Sequence, residues 1–178
     1  EEALRAAVAG VVLRDKKLLR IAARGVMSLA MYAYWDDGFV SHFPGGAFCH
    51  RCFTQTNITY VSAAVLDLAG DLFTTLGRES LLRRMAEDGL GSINRNSWKF
   101  EYIYRCNQLA LFCRGRVLGY AALDHWWTEE GNPRRVLPYM EIGNDELVDT
   151  LNYCVEPDGG NLEGSIYCLA YLGSVCMS

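Results

Sequence analysis

The most regular pattern in the chain is an alternation of aromatic and other residues that begins at Trp98. Trp98, Phe100, Tyr102 and Tyr104 are each separated by one residue, a period of two that is typical of a β-strand with one buried face. Two short apolar runs follow at 109–113 and 117–123, and the sequence between them resembles a tight turn. The pattern predicts a central antiparallel β-meander over about residues 98–123.

The first half of the chain shows helical periodicity instead. Apolar residues recur at helical spacing over 3–13 and 17–34, with Asp15 at the break between the two segments. A third helix is predicted from Tyr60, with Gly77 as its C-terminal stop. A short fourth helix is predicted over 80–87.

The second half predicts further strands. After the meander, 136–142 and 152–155 have strand character, and a short helix lies between them. A helix-rich part, 1–90, followed by a strand-rich part, 98–178, predicts an α+β fold with helices packed on one face of a mostly antiparallel sheet. The length of 178 residues fits one domain.

Charge narrows the classes of partner. The formal net charge is −4, and from Glu141 to the end there are acidic residues but no lysine or arginine. This distribution argues against nucleic acid as a partner, because phosphates would be repelled. No window is apolar and long enough for a membrane span. The chain begins with Glu-Glu rather than Met, so we expect it to be processed or trimmed.

The cysteines indicate a reducing, intracellular compartment. The chain has 7 cysteines, an odd number, and most of them lie inside apolar segments, as reduced core thiols do. Cys49 and Cys52 form a Cys-x-x-Cys pair with His42 nearby, and thiolate and imidazole are the ligands that zinc prefers. They are candidate ligands of a structural zinc. No second pair has the matching spacing, so two ordinary loop thiols remain the alternative.

Aromatic and ionisable residues follow the predicted meander. Trp126 and Trp127 are candidates for stacking on a partner, although such a pair is commonly one core residue and one partly exposed residue. His125, beside Asp124, could act as a general base, or could simply close a strand.

The segment 66–73, LDLAGDLF, resembles the death motif of the Bcl-2 family of apoptosis regulators. The resemblance implies a helix on which Gly70 permits close helix approach and Asp71 pairs with a partner's arginine. Leu66 and Phe73 would fill pockets of a groove. The Asn-Trp-Gly-Arg sequence that follows the motif in that family is absent from this chain, and the all-helical fold that the resemblance implies conflicts with the predicted meander.

Another resemblance covers more of the chain. Residues 114–123 look like the central hairpin of the GNAT superfamily of acyl-CoA-dependent N-acyltransferases, and 147–158 look like its fourth strand. The resemblance implies that acetyl-CoA is the cofactor and that its pyrophosphate is held by Gly159, Gly160, Gly164 and Ser165. The family's glycine-rich core is not intact here, and Glu163 places a negative charge in the loop.

Three functions follow from these observations. The first is a non-enzymatic protein-protein interaction module or a subunit of a larger assembly, indicated by the aromatic and cysteine content and by the acidic C-terminal quarter. The alternatives are a GNAT-like acyl-CoA-binding acyltransferase domain and a Bcl-2-like apoptosis regulator. For the interaction module, the expected partner is another protein chain.

Overall fold

A computed structural model describes residues 1–35, 53–97, 107–126 and 136–160 together with Gly164, Leu169 and Gly173, and most of these residues are helical. The α-helices are α1 (Glu2–Val12), α2 (Lys16–Ala30), α3 (Phe53–Ala69), α4 (Thr75–Arg84), α5 (Gly91–Ser97), α6 (Asn107–Trp126) and α7 (Leu137–Cys154). None of the described residues forms a β-sheet. The predicted α+β class is therefore wrong, and the described part of the chain is a helical bundle.

The two N-terminal helices are confirmed as the pattern predicts. The Asp15 side chain accepts a hydrogen bond from the backbone N–H of Lys17 and so caps the start of α2. Arg14, with φ 52°, makes the tight reversal between the helices. Gly10 lets α1 approach α2, because a Cβ there would lie 2.7 Å from a Leu19 methyl carbon.

Helix α3 lies at the centre of the bundle. It packs against α1 and α2 on one side and against α6 on the other. Its contact with α6 is close because glycines face its threonines. A Cβ at Gly115 would come within 2.8 Å of the Thr56 carbonyl oxygen, and one at Gly119 within 2.7 Å of the Thr59 methyl carbon. The two glycines are spaced by one helical turn and form a flat strip on α6.

The predicted meander is wrong for the part of it that the structure describes. Residues 107–123, expected to hold its later strands, belong to α6, and residues 98–106 lie outside the described residues. The buried positions Phe112, Arg116, Tyr120 and Leu123 recur at intervals of three and four residues, which is helical periodicity. Gly115, interpreted from the sequence as part of a turn, serves helix packing.

Helix α3 ends earlier than predicted. It stops at Ala69 and continues as a short 3₁₀ turn, Gly70–Leu72, before α4 starts. Gly77 therefore lies in the first turn of α4, where the Thr74 hydroxyl accepts a hydrogen bond from its N–H at 3.1 Å. A π-helical segment, Met85–Leu90, joins α4 to α5.

The last predicted strands are also wrong, because nearly all of their residues form α7. This helix packs on α6 through one face, where Gly143, Glu146 and Cys154 are buried. Its outer face exposes apolar side chains beside acidic ones: Ile142, Val148 and Tyr153 lie among Glu141, Asp145 and Asp149. Among the described helices, none has the length and apolarity needed to cross a membrane.

Candidate functional site

The segment that resembles a death motif spans the end of α3 and the turn after it. Leu66 is 0% exposed and belongs to the main core. Gly70 is buried beneath the indole ring of Trp126, which occupies the space that a side chain at position 70 would need. Asp71 is exposed and Phe73 is half-buried. The N-terminal half of the motif thus packs into the bundle, and its C-terminal half reaches the surface.

Trp126 closes the C-terminal end of α6 and is half-buried. The Arg78 guanidinium lies 4.6 Å from the centroid of its ring, a cation–π contact. The His125 ring meets it edge-on, with centroids 4.7 Å apart. Trp126 therefore contacts residues of its own chain on several sides. Trp127, the second member of the predicted partner-binding pair, lies outside the described residues.

A buried ion pair that the sequence patterns did not predict joins α6 to α7. The Arg116 side chain, 1% exposed, donates a hydrogen bond to the carboxylate of Glu146. Asn94, from α5, donates to the Tyr120 hydroxyl one turn further along α6. Arg116 and Glu146 are 30 positions apart in sequence, and Arg116 had been assigned to a turn, so neither residue carried a local signal.

Burial raises the pKa of two ionisable groups beside this ion pair. Desolvation raises the pKa of the Cys113 thiol to about 11, and the positive charge of Arg116 opposes the shift. Desolvation also raises the pKa of Tyr120, against the opposing effects of its hydrogen bond from Asn94 and of Arg116. Both groups are therefore neutral at physiological pH, which suits a structural role in the core.

The proposed pyrophosphate loop follows α7. The backbone N–H of Gly160 donates to the Asp158 carboxylate at 2.8 Å, and the Gly159 N–H donates to the Glu156 carbonyl at 2.8 Å. Two of the loop's N–H groups are thus engaged within the turn, and the side chains of Glu156 and Asp158 are exposed. Gly164 is exposed at a φ of +86°, and Ser165 lies outside the described residues.

Of the segments on which the acyltransferase resemblance rests, 114–123 lies in α6 and 147–154 lies in α7, and 155–158 follows α7 as non-helical chain. The fold that the resemblance implies is therefore not the fold of the described residues. The negative charge of Glu156 and Asp158 is also unfavourable for a pyrophosphate.

The predicted zinc ligands Cys49, Cys52 and His42 lie outside the described residues. Within the described ranges, no group of three or more histidine, cysteine, aspartate or glutamate side chains is arranged to hold a metal ion. Cys113 and Cys154 are described, and both are buried.

Comparison of the chain with protein-family models, with curated proteins and with solved structures gives no match.

Proposed function

We propose that the chain is a non-enzymatic protein-interaction module, and that it acts as a Bcl-2-like apoptosis regulator. The observation that carries the proposal is the position of the segment 66–73 in a helical bundle. Gly70 lies in the 3₁₀ turn after α3, and its lack of a side chain lets Trp126 of the same chain pack directly on the backbone. Asp71 is exposed and forms no ion pair with another described residue, so its carboxylate is free for a partner's arginine.

The helical fold supports the same proposal. A death motif is recognised as a helix whose apolar residues enter a groove, and such recognition is typical of proteins built from packed helices.

The buried position of Leu66 has a consequence for how the motif would be presented. Full insertion of the motif into a partner's groove requires Leu66 to leave the core, so the C-terminal end of α3 must separate from α6. Removing a buried leucine from a core costs about 3 kcal/mol. We therefore expect the folded chain to bind a groove more weakly than the free segment does.

The test is the affinity of the full chain for an established Bcl-2-family groove protein, measured by calorimetry for the native sequence and for Asp71→Ala. Asp71 is exposed, so its replacement leaves the fold intact while it removes the carboxylate that would meet the partner's arginine. We expect affinity to fall by about tenfold or more.

Asp67→Ala is the matched control. Asp67 is also an exposed aspartate on the same segment, one turn earlier on α3, and it is not one of the motif's defining residues. Its replacement should leave the affinity unchanged. Equal affinity of the native chain and Asp71→Ala, or no binding by the native chain, would exclude the Bcl-2-like role.

A further inference from the structure

A cavity of about 350 Å³ opens to solvent between α2 and the start of α4. Apolar side chains line part of it, and two arginines of α2 line another part: Ala23, Met27, Leu72 and Phe73, with Arg20 and Arg24. The volume lies within the range of ligand-binding pockets. The cavity is thus a concave site in which apolar surface adjoins concentrated positive charge.

Within the described residues, no ion pair engages the two arginines of the cavity. Arg20 and Arg24 are four residues apart on one helix face, where like charges repel. Neither guanidinium group forms an ion pair or hydrogen bond with another described residue. The whole chain, by contrast, has a net charge of −4, so this local excess of positive charge runs against the overall balance.

The N-terminus of α4 adds to the positive electrostatic potential at the cavity. Thr74, which caps this helix, and Gly77, in its first turn, both line the cavity. The first N–H groups of a helix have no partner within the helix, and they carry the positive end of the helix dipole. The Thr74 hydroxyl accepts a hydrogen bond from the N–H of Gly77. Two guanidinium groups and one helix N-terminus therefore meet at one cavity.

We propose that this cavity binds an acidic peptide segment of a partner protein, in which an apolar side chain is flanked by carboxylates. The apolar side chain packs against Met27, Leu72 and Phe73, and the carboxylates pair with Arg20 and Arg24. Arginine forms strong, bidentate hydrogen bonds with carboxylates. A ligand that supplied charge alone would leave the apolar part of the cavity unused. The charge contacts depend on Arg20 and Arg24 and not on the death-motif role of Asp71. Phe73 belongs both to the cavity lining and to the segment 66–73, so a peptide in the cavity and insertion of Phe73 into a partner's groove exclude each other.

The test is a selection of short randomised peptides, displayed on phage, against the full chain. We expect enrichment of peptides in which leucine or an aromatic residue lies between acidic residues. Binding of the synthetic peptides should weaken as salt rises, because exposed charges are screened. Arg20→Glu/Arg24→Glu should reduce their affinity by about tenfold or more.

Arg14→Glu/Arg83→Glu is the matched control, because it makes the same change in net charge at two exposed positions away from the lining of the cavity. It should leave affinity within about twofold of the native value. The proposal fails if no acidic class of peptide is enriched, or if the acidic peptides bind both charge-reversal variants equally. It also fails if sedimentation shows that Arg20 and Arg24 instead join two copies of this chain.

Discussion

The indole of Trp126 lies directly over Gly70, so that the end of α6 is packed on the backbone that follows α3. A side chain at position 70 would overlap the ring. Because α3 and α6 form the centre of the bundle, this contact sets how closely their C-terminal ends approach. It also lies inside the segment that carries the proposed function, next to the exposed Asp71.

Replacement of Gly70 by alanine should destabilise the protein, because Trp126 must move from its packed position. We expect a loss of about 1–3 kcal/mol in the free energy of unfolding, typical of overpacking, measured by urea denaturation. Gly143→Ala in α7 is the control. A Cβ there would meet its nearest neighbour, Arg116, at 4.0 Å, an ordinary contact. This control should retain native stability or exceed it. If Gly70→Ala were as stable as the native protein, Trp126 would not be packed against the backbone of Gly70.

The loss of one partner of the Arg116–Glu146 ion pair should destabilise the protein more than the loss of both partners together. Glu146→Leu leaves a buried guanidinium without its carboxylate, and we expect a loss of about 3–5 kcal/mol in chemical denaturation. Arg116→Met/Glu146→Leu removes both charges and should recover most of that loss. Arg5→Ala, which removes an exposed pairing with Glu2, should change stability by less than about 1 kcal/mol. Additive effects of Arg116→Met and Glu146→Leu would show that the two side chains are not coupled.

The stability contributed by Cys113 should be lost at alkaline pH. Its folded pKa of about 11 is above the ordinary value of 9.0, so the folded state favours the neutral thiol. The contribution is fully present below pH 9.0 and is lost as pH rises towards about 11, where the unfolded chain releases the proton more readily. Denaturation curves across this window should show stability falling less steeply with pH in Cys113→Ala than in the native chain. Identical slopes would mean that the thiol is not desolvated.

The start of α2 should depend on Asp15. Asp15→Ala removes the acceptor that the Lys17 N–H uses at 2.7 Å, and we expect a loss of about 1 kcal/mol in thermal denaturation. Asp67→Ala, at an exposed position inside α3, should have little effect on stability by comparison. The same loss in both variants would argue against a specific role for the cap.

Helices α1 and α2 could be predicted from the sequence because each has an apolar face and Asp15 marks the boundary between them. Helix α6 could not, because Gly115 is flanked by arginines and resembles a turn when its neighbours are unknown. The reason for a glycine inside this helix is that Thr56 of α3 packs directly against it and leaves no space for a side chain. Which helix packs against α6 is a matter of tertiary structure, and local periodicity does not reveal it.

The candidate sites divide in the same way. The segment 66–73 could be found from the sequence because its residues are contiguous. The ion pair of Arg116 with Glu146 could not, since it joins two helices whose contact was not predicted. Arg20 and Arg24 are an unremarkable pair on an exposed helix until the start of α4 is placed beside them.

The most direct test of the proposed function is the affinity of a peptide spanning residues 57–76 for a Bcl-2-family groove protein, measured beside that of the full chain. The peptide carries the complete motif and does not have to withdraw Leu66 from a core. We expect it to bind with micromolar or tighter affinity, more tightly than the full chain, and to lose binding on Leu66→Ala or Asp71→Ala. No binding by the peptide at about 100 μM would contradict the proposed function, because the motif would then fail even when fully exposed.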